Sequence, residues 1–281
     1  MIKISHSVFA LPFALAAMAL AMREEGGWSW RVFSWVVFCA VMARTAAMAQ
    51  NRLADSKLDA ENPRTAGRAI PAKRVSKPFV LGLVVVSSGL FVFGASMLNE
   101  ACLQMSPVVL FVLLFYPYTK RVSSLCHVWL GIALGLAPLG AWVAVRGWRG
   151  GFLTPVVLGV AVTLWTAGFD VIYACQDFEA DRKQRLHSIP ARFGLSGALR
   201  ISTLMHVACV ALLAWLGWAN PHLGWLYGAG VGVGAMVLWQ EHKMVAPDDL
   251  SRLGVAFLNL NAAFAAVVGG AAFVDALWVV S

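Results

Sequence analysis

Charge is what this sequence has least of. Asp, Glu, Lys and Arg make up 13% of its 281 residues, against 60% hydrophobic residues. A soluble domain of that length needs more polar surface to cover itself, which excludes a soluble helical domain. The cysteines (Cys39, Cys102, Cys126, Cys175 and Cys209) are few, scattered, and form no C-x-x-C pair. That excludes a disulfide framework or a thiolate metal site and leaves them as small core residues. His127, His206, His222 and His242 lack metal-ligand spacing and read as packing or helix-end residues.

What the chain has in excess is apolar length. A bilayer core of about 30 Å takes roughly 20 apolar residues per helix. Nine stretches qualify, at about 5–22, 30–52, 78–98, 104–119, 125–145, 152–176, 197–218, 222–240 and 254–279. The first, with its small-residue "AAMALAM", could pass for a signal peptide. Pro12 within it and eight spans after it favour a retained helix. The expectation is one all-α integral membrane domain over residues 1–281, with nine transmembrane helices.

The basic residues set the orientation. With the N-terminus in the cytoplasm, 17 of the 22 Lys and Arg fall in cytoplasmic segments. Arg23, Arg31, Arg146 and Arg149 fall outside, and Arg44 lies within a span. This is the positive-inside pattern. The net charge of +8 is therefore mostly a topology signal and does not point to nucleic acid.

The acids are concentrated. Seven of 14 lie in two stretches, "NRLADSKLDAENPRT" and "DVIYACQDFEAD". Both sit at the cytoplasmic end of a long apolar helix. At helical spacing Asn51, Asp55 and Asp59 share one face, and so do Asp170, Tyr173, Asp177 and Asp181. Like charges one turn apart repel and are costly to desolvate near a membrane. A bound cation removes that cost. Carboxylates and an amide oxygen are hard ligands suited to Mg²⁺, which completes its shell with water and substrate phosphates. Asn51, Asp55, Asp59, Asp177 and Asp181 are thus expected to hold Mg²⁺ ions that in turn hold a diphosphate.

The patterns N-x-x-x-D-x-x-x-D (Asn51, Asp55, Asp59) and D-x-x-Y-x-x-x-D-x-x-x-D (Asp170, Tyr173, Asp177, Asp181) resemble the two signature motifs of the UbiA superfamily of intramembrane prenyltransferases. "RTAAMAQNRLADSKLDAENPRT", "YPYTKR", "HSIPARFG" and "SHSVFALPFAL" are similar to its 4-hydroxybenzoate polyprenyltransferase group. The Asn51-Arg52 pair resembles the branch linked to menaquinone made by the futalosine route. One departure is Lys73, where many relatives have glycine.

The resemblance implies nine helices around a central cavity open to the bilayer, and transfer of an isoprenoid chain from a polyprenyl diphosphate to an aromatic acid. It also implies a bacterial cytoplasmic (inner) membrane protein whose active site opens to the cytoplasm. Arg64, Lys120 and Arg121 are candidates for the phosphate oxygens, with Arg185 and Arg192 weaker. His187 reads as a loop residue. Tyr173 is placed to face an allylic cation. Arg44, an intramembrane guanidinium about two turns deeper than Asn51, suits the carboxylate of 4-hydroxybenzoate or a dihydroxynaphthoate. Asp170 is a candidate for removing the ring proton.

Two other readings remain open: the same fold with haem, chlorophyllide or a sugar phosphate as acceptor, and a divalent-cation transporter. Acids at the membrane edge, in two like-oriented halves, disfavour the transporter. Nine apolar spans exclude a soluble prenyl diphosphate synthase.

Overall fold

The computed structural model describes residues 9–250, 253 and 255–278. Lys3, Arg252 and the start of the first apolar stretch lie outside the described residues. The described chain is helical, in the order α1 (Leu11–Glu24), α2 (Trp30–Ala54), α3 (Ser56–Glu61), α4 (Lys77–Leu98), α5 (Glu100–Thr119), α6 (Cys126–Arg146), α7 (Leu153–Ala174), α8 (Phe178–Lys183), α9 (Ile189–Ala219), α10 (Trp225–Lys243) and α11 (Val255–Trp278).

Seven of these helices are long and apolar enough to cross a membrane: α2, α4, α5, α6, α7 with its continuation to Lys183, α9, and α11 from Asn259. The described part of α1 is only 14 residues long. The 19 residues of α10 end in Gln-Glu-His-Lys. These two occupy the places of the first and eighth expected spans without matching the other seven in length and hydropathy.

Packing begins with α1. Phe13, Ala16, Ala17 and Leu20 are buried, and the Phe13 ring lies 5.6 Å from that of Trp165 and 6.3 Å from that of Phe264. Pro12 sits in the first turn of α1, where its missing N–H costs nothing. α1 is thus a wall of the core. α6 and α7 approach closely through small residues: the Thr163 hydroxyl donates to Gly131 O across the pair at 3.2 Å. All five cysteines are buried and unbridged.

The two ends of the bundle differ. One carries the loops that follow α2, α5 and α7. At the other, Trp30, Trp148, Trp218, Trp225 and Trp278 are exposed, in the manner of an interfacial aromatic belt. There Arg146 pairs with Glu24 and Glu25, and Asp275 accepts the N–H groups of Gly224 and Tyr227 at the start of α10, both at 2.8 Å.

Candidate active site

The two acid-rich segments meet at the first of these ends. Neither is the straight helical stripe that spacing suggests. α2 stops at Ala54, and Asp55 (φ −90°, ψ 5°) turns the chain into the short α3. The turn is shallow, since Asp59 N–H still donates to Asp55 O at 2.8 Å. In the second segment a single tight turn, Cys175–Asp177, separates α7 from α8. The bends fold both sets of side chains over one polar cavity of about 170 Å³, lined by Asn51, Asp55, Asp59, Asp170, Tyr173, Asp177 and Asp181.

Each of four acids has a basic partner from another part of the chain. Lys120 Nζ lies 2.7 Å from Asp55 Oδ2, with Arg121 3.4 Å from Asp55 Oδ1. Arg68 Nη1 is 2.6 Å from Asp59 Oδ1. Arg64 donates through Nε to Asp177 Oδ1 at 2.9 Å and through Nη2 to Oδ2, and Asn62 Nδ2 donates to the same Oδ1 at 2.9 Å. His127 Nδ1 is 2.7 Å from Asp170 Oδ2. Arg64 also donates to the Tyr173 hydroxyl at 3.2 Å, with its guanidinium carbon 5.3 Å from the ring centre. Burial opposes the charge on Arg64, but the bonds to Asp177 prevail and raise its pKa.

Beneath the polar cavity is a larger, mostly apolar chamber of about 460 Å³. Asn51, Arg68, Tyr116, Asp170 and Tyr173 line both spaces and form the neck between them. Arg44 lines the apolar chamber, and its buried Nε has no hydrogen-bond partner. It forms no ion pair among the described residues. A guanidinium left this way in an apolar wall is an invitation to an anion.

The donor set fits Mg²⁺ in kind. It offers carboxylates and amide oxygens, and Asp59 Oδ2 is buried with no hydrogen-bond partner. Among the described residues no three acidic, His or Cys side chains converge closely enough to cage an ion by themselves. The arrangement suits ions held by one or two carboxylates and completed by phosphate and water.

Arg185, Arg192 and His187 do not line the polar cavity. Arg192 donates to the Ser124 hydroxyl at 3.2 Å. His187 is exposed and engaged through its backbone, whose N–H donates to Lys120 O at 2.7 Å. Three residues at the site escape sequence reasoning: Asn62, Arg68 and His127. His127 is no helix-end filler; it is bonded to a motif acid. The first two stand within ten residues of the first motif, which is the signal that could have found them. His127 has no local signal, because its partner lies 43 residues away.

The model of the UbiA prenyltransferase family matches residues 10–274. Relatives named 4-hydroxybenzoate octaprenyltransferase include one from Cronobacter sakazakii, 33% identical over 78% of this chain and 74% of that one. Another, from Methylococcus capsulatus, is 32% identical over 94% of this chain and 88% of that one. Among solved structures, the apo form of a UbiA homolog from Aeropyrum pernix K1 matches with a TM-score of 0.87 and 35% identity, covering 98% of this chain and 99% of that one. A UbiA homolog from Archaeoglobus fulgidus bound to DMAPP and Mg²⁺ shares the fold, with a TM-score of 0.65 at 17% identity over 93% of this chain and 95% of that one. With seven helices able to cross a bilayer, the protein is an integral membrane protein, and the chain belongs to the UbiA prenyltransferase family.

Proposed function

We propose that this protein transfers a polyprenyl group from a polyprenyl diphosphate to the ring of an aromatic acid, 4-hydroxybenzoate or a dihydroxynaphthoate, in quinone biosynthesis. One observation carries the reading: the acids of two distant motifs line a polar cavity whose inner mouth opens on an apolar chamber containing an arginine with no ion pair among the described residues. A diphosphate suits the first space and a hydrocarbon chain with an aromatic acid suits the second. The names of the relatives support the acceptor class.

Ionisation of an allylic diphosphate is a charge-separation problem. Asn51, Asp55, Asp59, Asp177 and Asp181 would hold Mg²⁺, whose charge offsets that of the departing diphosphate. Arg64, Arg68, Lys120 and Arg121 donate charge-assisted hydrogen bonds to phosphate oxygens. In the resting protein these bases neutralise the acids, so the site is preassembled without stranding like charges. At the neck the Tyr173 ring faces the allylic cation. The surrounding apolar walls exclude water that would quench it. Arg44 binds the acceptor carboxylate and presents the ring to C1 of the cation. Asp170 takes the ring proton.

We further take residues 1–281 as one domain of nine transmembrane helices with a cytoplasmic N-terminus. The polar cavity then faces the cytoplasm of a bacterial inner membrane, the side favoured by the Lys and Arg distribution.

The test is an assay of purified protein in lipid, with labelled polyprenyl diphosphate, Mg²⁺ and a panel of aromatic acids. Labelled prenyl-arene and pyrophosphate in equal amounts are expected. Pyrophosphate release without any prenylated acid, across the whole panel, would remove the proposed acceptor class.

A further inference from the structure

We infer that His127 is a positioning residue for ring-proton removal, holding Asp170 at the neck through a proton fixed on Nδ1 by the start of α9. His127 is 3% exposed, in the first turn of α6. Its Nε2 accepts the backbone N–H of Ile189, the first residue of α9, at 3.3 Å. A ring nitrogen that accepts an N–H carries no proton of its own. The proton of the neutral ring therefore sits on Nδ1, and Nδ1 donates to Asp170 Oδ2 at 2.7 Å. Three helices, α6, α7 and α9, thus aim one carboxylate. Asp170 Oδ1 takes no hydrogen bond from the described residues, and the side chain is 22% exposed where the two cavities meet.

The inference rests on the transfer proposed above, and its bookkeeping is simple. The C1–O bond breaks first and its electron pair leaves with the diphosphate; a ring carbon then forms a bond to C1 of the allylic cation. The ring C–H bond then breaks. Its electron pair restores aromaticity, and the proton passes to Asp170 Oδ1. His127 donates no proton to substrate and touches none. It keeps Oδ2 occupied and Oδ1 turned to the neck.

The experiment compares 4-hydroxybenzoate with its ring-deuterated form, using the purified protein and a polyprenyl diphosphate. In the wild type, proton loss follows a slower ionisation, so the two acceptors react alike. In His127→Ala the base is no longer aimed. kcat falls about 100-fold, the cost of a misplaced group, a deuterium effect on kcat appears, and the acceptor KM is held. His127→Asn separates this role from mere packing, since its amide nitrogen can stand where Nδ1 stands and donate to Asp170. It regains most of kcat and loses the deuterium effect. His127→Gln, whose amide reaches towards Ile189 instead, keeps the deuterium effect; the Asn–Gln contrast decides the matter even where the alanine variant folds poorly. Variants that all lack a deuterium effect, while the wild type transfers prenyl groups normally, overturn the role of His127 alone. A wild type that prenylates no aromatic acid overturns the proposed transfer, and this inference with it.

Discussion

Arg64 grips Asp177 with two nitrogens, joining the loop after the first acidic motif to the heart of the second. The same guanidinium touches the Tyr173 hydroxyl. A base that already spans both motifs needs only a small movement to reach a diphosphate between them. Arg64→Ala is therefore expected to raise the donor KM about tenfold or more, as loss of a hydrogen bond to a charged group does, with the acceptor KM unchanged. Steady-state kinetics with each substrate varied in turn checks this. Equal rises in both constants would mean that Arg64 only holds the loop.

The acids themselves should behave differently. Asp55→Ala or Asp177→Ala removes charge that matters as the diphosphate departs, so turnover should fall by about 10²–10³ or more. Asp55 is paired with Lys120 and Arg121, so its loss leaves two bases facing each other. That disturbs the resting cavity but not the buried core around Trp165. Both variants should insert and fractionate with the membrane at wild-type level. Full turnover by either one would count against any role for these acids in holding metal.

Arg44 is expected to govern the acceptor. Arg44→Ala should raise the acceptor KM about 10- to 100-fold, the span of a charge-assisted pair, with the donor KM within twofold. Arg44→Lys should recover only part, because an ammonium cannot match both carboxylate oxygens. An unchanged acceptor KM in Arg44→Ala would sink the assignment.

How much of this could be read before the structure follows from where each signal lies. Asn51, Asp55 and Asp59, and likewise Asp170, Tyr173, Asp177 and Asp181, announce themselves by regular spacing within one segment. They do meet around one cavity. Arg44 announces itself as a charge in an apolar run. The bends at Asp55 and Asp177 carry no such mark; no proline or glycine sits at either. The pairings Asn62–Asp177 and His127–Asp170 depend on which loops and helices pack together, which no local spacing encodes. Arg192 stands away from the cavity for the same reason: the first turn of α9 directs its side chain to the Ser124 hydroxyl.

Lys73 gives a stability prediction free of catalysis. It holds a left-handed backbone, φ 56°, a conformation that glycine adopts without strain. Its N–H donates to Ile70 O at 2.9 Å in a tight turn, which forces the conformation. A side chain pays about 1 kcal/mol or more for it. Lys73→Gly should relieve that strain and raise the melting temperature in detergent, with turnover unchanged. A lower melting temperature would mean the lysine side chain contributes more than its backbone costs.

Gly135 and Gly159 tie the fold to the site. A Cβ built on Gly159 would lie 2.7 Å from Gly135 O, and one on Gly135 would overlap Gly159 O and the Thr163 hydroxyl. Backbone has no rotamer with which to yield, so Gly135→Ala must push α6 from α7. The cost should be about 1–3 kcal/mol, as for other overpacked contacts. These are also the helices that carry His127 and Asp170, which stand 2.7 Å apart. The separation should therefore slow turnover along with the loss of stability, though the mutated position lies two turns along α6 from His127 and on a different helix from Asp170. Gly82 in α4 is the control. A Cβ there meets nothing within 4 Å, and alanine should stabilise the helix by roughly 0.5–1 kcal/mol and leave turnover alone. Thermal melts and turnover measured on both variants check the argument; a Gly135→Ala protein that melts and turns over like wild type would show that α6 and α7 do not need their close approach.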